Sequence, residues 1–171
     1  EYGCGKPECQ PGCDCDRYLE LWNLVFIEYN RNDAGVLEPL ASKGIDTGMG
    51  LERIASVLEK VSSNFEIDLF IPIMEVINKA KKAENIRSKR IVADHTRAIT
   101  YLIGDGVIPS NEGRGYVLRR LIRSAVRHCR ILKIEVPFLF TLSKVVSDLG
   151  KYVYPELEKI KILLLDNNAA S

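Results

Sequence analysis

Ten consecutive residues, Gly44-Ile45-Asp46-Thr47-Gly48-Met49-Gly50-Leu51-Glu52-Arg53, combine three glycines, a carboxylate and an arginine ahead of an apolar-periodic segment. Glycines let a backbone approach a ligand closely. A glycine-rich turn that opens a helix points free N–H groups at an anion. Arg53 adds a permanently charged fork for phosphate or carboxylate, and Asp46 suits an amine. Together these groups fit a zwitterionic, phosphate-bearing reaction. Asp46 as a helix cap and Arg53 in a salt bridge are the plainer alternatives.

Two other clusters carry chemistry. Cys4, Cys9, Cys13 and Cys15 follow the spacing C-x4-C-x3-C-x-C, and four thiolates this close can surround one tetrahedral Zn²⁺. A ligand-free loop and an iron–sulfur site stay open as alternatives. From Gly113 to Ile134 there is no acidic residue and there are seven Arg or Lys. At helical spacing Leu118, Leu121, Ala125, Cys129 and Leu132 form one stripe, and Arg119, Arg120, Arg123, Arg127 and Arg130 form the opposite arc. Such a single-sign face reads as a phosphate-binding ridge, the alternative being arginines paired with carboxylates of neighbouring elements. Cys129, on the apolar stripe, reads as a core residue.

The elements that position these groups change character along the chain. Residues 1–17 are rich in Cys, Gly and Pro and hide little apolar surface. Residues 18–30 predict a strand. Its period of two puts Asn23, Val25, Ile27 and Tyr29 on one face and Trp22, Leu24 and Phe26 on the other. After the turn residues Asn30 to Gly35, Val36–Ile45 is expected to return as an antiparallel strand broken by Pro39. From Gly50 the period becomes helical, through Leu51, Ile54, Ala55, Leu58 and Val61. Further helices are expected over 68–83, 87–103 and 116–132, with Gly104-Asp105-Gly106 closing the second of these, and over 137–149 and 155–165. His95 falls on an apolar face with Ile91 and Leu102 and is expected to be buried; Asp94 and Arg97 take the polar side. The expected fold class is α+β, an antiparallel strand pair and a helix followed by an all-helical part.

At 171 residues the chain is long enough for one or two small domains. With 24 basic and 23 acidic residues, net charge alone names no polyanion partner, and the arginines must make that case locally. No run of 18 or more apolar residues suggests a membrane span. The first residues, Glu1-Tyr2-Gly3-Cys4, read as the interior of a longer protein rather than a leader.

The glycine block resembles motif 3 of the class II aminoacyl-tRNA synthetases, in the wording of their alanyl-tRNA synthetase branch. Three other stretches agree in order: Glu20-Leu21-Trp22-Asn23-Leu24-Val25-Phe26, Ala93-Asp94-His95-Thr96-Arg97, and Pro109-Ser110-Asn111-Glu112 running on to Gly115-Tyr116-Val117-Leu118-Arg119-Arg120. The resemblance spans Tyr18 to Leu157. It implies an internal piece of a ligase, from the end of the class II catalytic core (residues 18–65, after a cysteine-rich insertion at 1–17) into the helical tRNA-recognition domain (66–171). The parent would activate alanine with ATP and Mg²⁺ and pass it to tRNA(Ala) in the cytoplasm.

Residue by residue, the resemblance implies alanine binding by Trp22, Asn23, Val25, Asp46 and Gly48, and ATP and Mg²⁺ binding by Glu20, Gly50 and Arg53. It implies acceptor-stem binding by Asn111, Arg119, Arg120, Arg123 and Arg127, with Asn111 and Arg123 at positions that read a wobble pair. Strand parity agrees for Asn23 and Val25, whereas Trp22 and Glu20 need a twist or bulge. For Trp22 and Val25 sheet core is the alternative, and for Asn111 a turn. Nothing about the cysteine insertion follows from the resemblance, although a cytosolic setting disfavours disulfides. No catalytic nucleophile is expected, and the piece alone is expected to be inactive because the parent's earlier motifs are not in it. Editing of serine or glycine would lie elsewhere, since a pocket separates such small groups by only ~1–3 kcal/mol. A non-catalytic acceptor-stem-binding module and a zinc-stabilised structural piece are the competing readings. The tail from Lys161 departs from the family's charged continuation.

Overall fold

The computed structural model describes residues 3–13, 15, 17–135 and 137–159. The chain divides into two compact units, Glu1–Asn64 and Phe65–Ser171.

In the first unit β1 (Trp22–Arg31) pairs antiparallel with β2 (Leu37–Met49) as a two-stranded ribbon. Gly35 at φ 80° and the Asn32 side chain, which accepts from Ala34 and Val36 N–H, shape the turn between them. The register runs Trp22↔Met49, Asn23↔Gly48, Leu24↔Thr47, Val25↔Asp46, Phe26↔Ile45 and Ile27↔Gly44, then shifts before Tyr29↔Pro39. The irregularity therefore sits beside Pro39, which cannot donate to a ladder. The ribbon continues through Gly48 to Met49, so most of the glycine block is strand, not the turn expected from its glycines. Only Gly50 caps the following helix, α1 (Leu51–Leu58).

The second unit is helical: α2 (Ile71–Ala80), α3 (Ile86–Gly104), α4 (Gly113–Ile131) and α5 (Leu139–Gly150). Asn85 caps α3 by accepting from Ser88 N–H at 2.8 Å. Pro72 sits in the first turn of α2, where its missing N–H is harmless. The 155–165 segment begins as a short 3₁₀ turn, Pro155–Lys159; the remainder of that expected helix, and the divergent tail, lie outside the described residues.

Among the described residues every buried apolar one belongs to this unit, including Ile67, Ile73, Ile77, Val92, Ile99, Leu118, Leu132, Leu142 and Leu157. Ile99, Leu118 and Ala125 centre the α3–α4 contact, with Leu102, Ile103, Val107, Leu121, Ile122 and Leu139 packed around them. α4 starts three residues before its expected boundary because Gly115 lets the preceding loop close on it. A β-carbon there would run into the Ile108 carbonyl and the Ser110 side chain.

Candidate functional site

The ribbon register sorts the expected small-molecule residues by face. Residues directly opposite in an antiparallel pair share a face, so Asn23, Gly48, Val25 and Asp46 stand together. Gly48 supplies room: a β-carbon there would lie 3.4 Å from the Asn23 side-chain oxygen. Glu20 precedes the strand, and its carboxylate accepts from Asn23 Nδ2 at 3.0 Å, which brings it to that same cluster. Asp46 is not a helix cap. It lies in β2, with one oxygen accepting the Thr47 N–H at 3.0 Å.

Trp22 stays on the reverse face. No bulge lies between it and Ile27, and its indole N–H donates to Thr47 Oγ1. Thr47 in turn donates to the Asn23 carbonyl at 3.2 Å. Thr47 was not singled out from the sequence, yet it ties Trp22 to the backbone beneath Asn23. A lone threonine in a strand gives no signal without its register.

Arg53, in α1, donates through Nη1 to the Glu20 carbonyl at 2.7 Å, a backbone partner and not the carboxylate expected of a salt bridge. The Gly50 N–H bonds to the Leu21 carbonyl at 3.0 Å, so the start of α1 is pinned to the start of β1. None of Gly44, Gly48 and Gly50 uses a positive φ. A β-carbon at Gly44 would meet open space, whereas one at Gly50 would press on the Arg53 side chain at 3.2 Å. Glu20 and Arg53 line an open recess with Pro11, Gly12, Cys13 and Arg17.

The four cysteine sulfurs lie within 4.8 Å of one another and are free thiols. Cys4 and Cys13 Sγ are 3.6 Å apart, and Cys9 and Cys15 Sγ are 3.7 Å apart. A tetrahedral ion with Zn–S bonds of ~2.3 Å separates its sulfurs by about 3.8 Å. The set can therefore hold a metal. Hydrogen bonding to Cys4 and then to Cys15 pushes the Cys13 thiol up to about 12, whereas the Arg17 backbone N–H lowers Cys15 to about 7.

In the helical unit Arg119, Arg120, Arg123, Arg127 and Arg130 are all exposed on one side of α4, opposite buried Leu118, Ala125 and Cys129. Among the described residues none of the five forms an ion pair. Burial pushes the Cys129 thiol up to about 11, as fits a core residue. Asn111, Tyr116, Arg119, Arg120 and Arg123 line one recess, and the Asn111 side-chain oxygen accepts from Arg119. Arg120, Arg123, Arg127, His128 and Arg130 line a second groove on the same helix. Tyr116 and His128 were not expected there. His128 Nδ1 lies 3.0 Å from Ser88 Oγ, and burial, then Arg127, His95 and Arg87, hold its pKa below the usual range.

His95 corrects its expectation. It is half-buried and 3.2 Å from Asp94, while Val92, Ala93, Thr96, Ile99 and Thr100 make the buried face of α3. The true stripe lies beside His95, not under it. Arg97, set on the polar side with Asp94, instead places its guanidinium 5.2 Å from the centre of the Phe70 ring.

The comparison with known families decides what this arrangement belongs to. The model of the tRNA synthetases class II (A) matches residues 1–165. The chain belongs to that family. Curated class II relatives agree. An alanine–tRNA ligase of Desulfitobacterium hafniense (strain Y51) is 48% identical over 171 residues, covering 96% of this chain and 20% of that protein. One from Desulforamulus reducens is 52% identical over 163 residues, covering 92% of this chain and 19% of its own length. A third, from Pelotomaculum thermopropionicum, is 54% identical over 164 residues, again 92% and 19%. The chain thus spans about a fifth of the length of these class II synthetase relatives. No helix among its described residues is long and apolar enough to cross a membrane.

Proposed function

We propose that this chain is the part of a cytoplasmic alanine–tRNA ligase that holds one wall of the alanine and ATP site and the acceptor-stem ridge. The observation that carries the reading is the register that groups Asn23, Val25, Asp46 and Gly48 on one ribbon face, beside Glu20. Asp46 would bind the α-ammonium of alanine, Asn23 and Val25 would contact the substrate, and Gly48 would leave space for its methyl. Trp22, assigned to the pocket by resemblance, serves from the reverse face by holding Thr47 and hence the Asp46–Gly48 register.

Glu20 would hold the Mg²⁺ of the ATP complex, and Arg53, beside Gly50, would face its phosphates. The alanine carboxylate would attack the α-phosphorus in line, forming alanyl-adenylate as pyrophosphate leaves; a terminal ribose hydroxyl of tRNA(Ala) would then take the alanyl group at its carbonyl carbon, with AMP as the leaving group. Such chemistry needs positioning and charge neutralisation, not a side-chain nucleophile. The exposed arginines of α4, with Asn111 and Arg123 in one recess, would take the acceptor stem. RNA duplexes present a shallow minor groove, and an asparagine both donates and accepts there. The exposed apolar residues of the ribbon suit cover by further parts of such a ligase. The cysteine set, in the same proposal, belongs to Zn²⁺: its sulfurs enclose one ion, with no space for a multi-iron cluster.

The test is binding of a tRNA(Ala) acceptor-stem hairpin to this chain, with a G·U or a G·C pair at the third position, at two salt concentrations. Preference for G·U, lost in Asn111→Ala, is the expected result. Arg123→Glu or Arg127→Glu should each weaken binding about tenfold and reduce the salt slope by about one. A flat salt response would overturn the ridge. The alternative, a non-catalytic acceptor-stem module, draws on the helical unit's having the chain's apolar core. Both readings expect no alanine-dependent ATP–pyrophosphate exchange from this chain alone, and the full-length ligase separates them by exchanging or not.

A further inference from the structure

The segment that carries the four cysteines has almost no apolar core, yet its backbone is tightly turned. Cys9 N–H bonds to the Lys6 carbonyl at 3.1 Å, Cys13 N–H to the Gln10 carbonyl at 2.9 Å, and Tyr18 N–H to the Cys15 carbonyl at 3.0 Å. Gly5 and Gly12 take φ 72° and 95°, left-handed values that a side chain would strain. Those turns bring sulfurs from four separate positions within 4.8 Å. The cysteines themselves are exposed or half-buried, so hydrophobic burial does not account for the convergence.

The same segment runs directly into the proposed ATP-side residues. Pro11, Gly12 and Cys13 form one wall of the recess whose other members are Arg17, Tyr18, Leu19, Glu20 and Arg53. Tyr18 reaches back so that its hydroxyl donates to the Cys9 carbonyl at 3.4 Å. Glu20 then makes two contacts, its carbonyl to Arg53 at 2.7 Å and its carboxylate to Asn23 at 3.0 Å. The cysteine turn is thus joined through the short backbone run Tyr18–Glu20 to both charged groups of the recess.

We propose that a divalent Zn²⁺ held by Cys4, Cys9, Cys13 and Cys15 fixes this recess wall and so sets the positions of Glu20 and Arg53 for a magnesium-bound phosphate ligand. The inference rests on the Zn²⁺ assignment given above. The four cysteines act through Glu20 and Arg53 and touch no substrate. Metal binding and local folding are one equilibrium in sites of this kind. Loading would therefore switch the wall between ordered and disordered forms without involving the helical unit's own core.

The experiment uses the 171-residue chain, stripped with a chelator under reducing conditions and reloaded with Zn²⁺ alone. Metal content, the thiolate-to-metal absorption of a Co²⁺-loaded sample, and amide hydrogen exchange by segment are read together. The expected result is one metal per chain and at least tenfold faster exchange in 17–24 and 50–56 on stripping, with 86–131 unchanged. Cys13→Ser should mimic the stripped protein, and Cys13→His, which keeps a ligand atom, should restore protection. Absence of stoichiometric metal overturns the Zn²⁺ assignment. One metal per chain with unaltered exchange around Glu20 and Arg53 overturns the positioning role and leaves the metal site standing. Faster exchange across 86–131 as well overturns it in favour of a general folding requirement.

Discussion

The ribbon and the helical unit solve the problem of order differently. In the ribbon Trp22 is 63% exposed and Phe26 67%, and Ser56 is the sole buried residue described before Asn64. In the helical unit Leu118, Ile73, Val92 and Leu142 are fully buried. Two strands alone are marginal in water, so the first unit depends on hydrogen-bond register, turns and the cysteine cluster. The second unit has the dense apolar packing that makes a domain stable by itself. The candidate groups are placed accordingly: polar residues on the ribbon are set by register, whereas the arginines are set by a helix.

Truncation should expose that contrast most strongly. Leu118→Ala or Ile73→Ala is expected to lower stability by about 3 kcal/mol, as fully buried side chains do. Phe26→Ala in the ribbon should change it by less than about 0.5 kcal/mol. Urea denaturation followed by helical circular dichroism measures both, and equal losses would erase the distinction between the units.

Gly115→Ala sharpens it. Within a helix this change ordinarily stabilises by about 0.5–1 kcal/mol. Here the β-carbon meets the Ile108 carbonyl and the Ser110 side chain, so a loss of about 1–3 kcal/mol is expected in the same assay.

The smallest effect is with pH. His128 is held below its usual 6.5, chiefly by burial, so the unfolded chain binds more protons in that range. Stability of the helical unit should therefore fall as pH drops below about 6.5. Glu84 is held below its usual 4.5 by Lys81 and Lys89, and its contribution, present above that value, is lost as pH falls further. Lys89 is itself buried, 2.6 Å from Glu84 and 3.2 Å from Asn78. Thermal melts at stepped pH should show both declines, with His128→Gln removing the first. A profile flat to pH 5 would refute the assignment.

Much of the secondary structure was legible because its signals are local. Leu118, Ala125, Cys129 and Leu132 recur at helical spacing and are all buried. Gly104-Asp105-Gly106 ends α3, with Gly106 at φ 79°. The α+β class followed from the change of period near Gly50, and family membership from four ordered motifs. His95 was misplaced because a helical wheel cannot say which of two adjacent stripes meets a neighbouring helix. The glycine block was misread because glycines inside a strand look the same in sequence as glycines that supply a turn.

By itself, the sequence determined residue types and their periods: which helix face carries arginine, which strand face carries Asn23 and Val25, and which four thiols lie close along the chain. Tertiary structure alone decided the partners. Register set Asp46 opposite Val25 and left Trp22 on Thr47, chain reversal brought four sulfurs within 4.8 Å, and Arg53 found the Glu20 carbonyl 33 residues away. The physical reason is that period is a property of neighbouring residues, whereas pairing depends on loop closure, and loop closure is settled by the free energy of the whole packed chain.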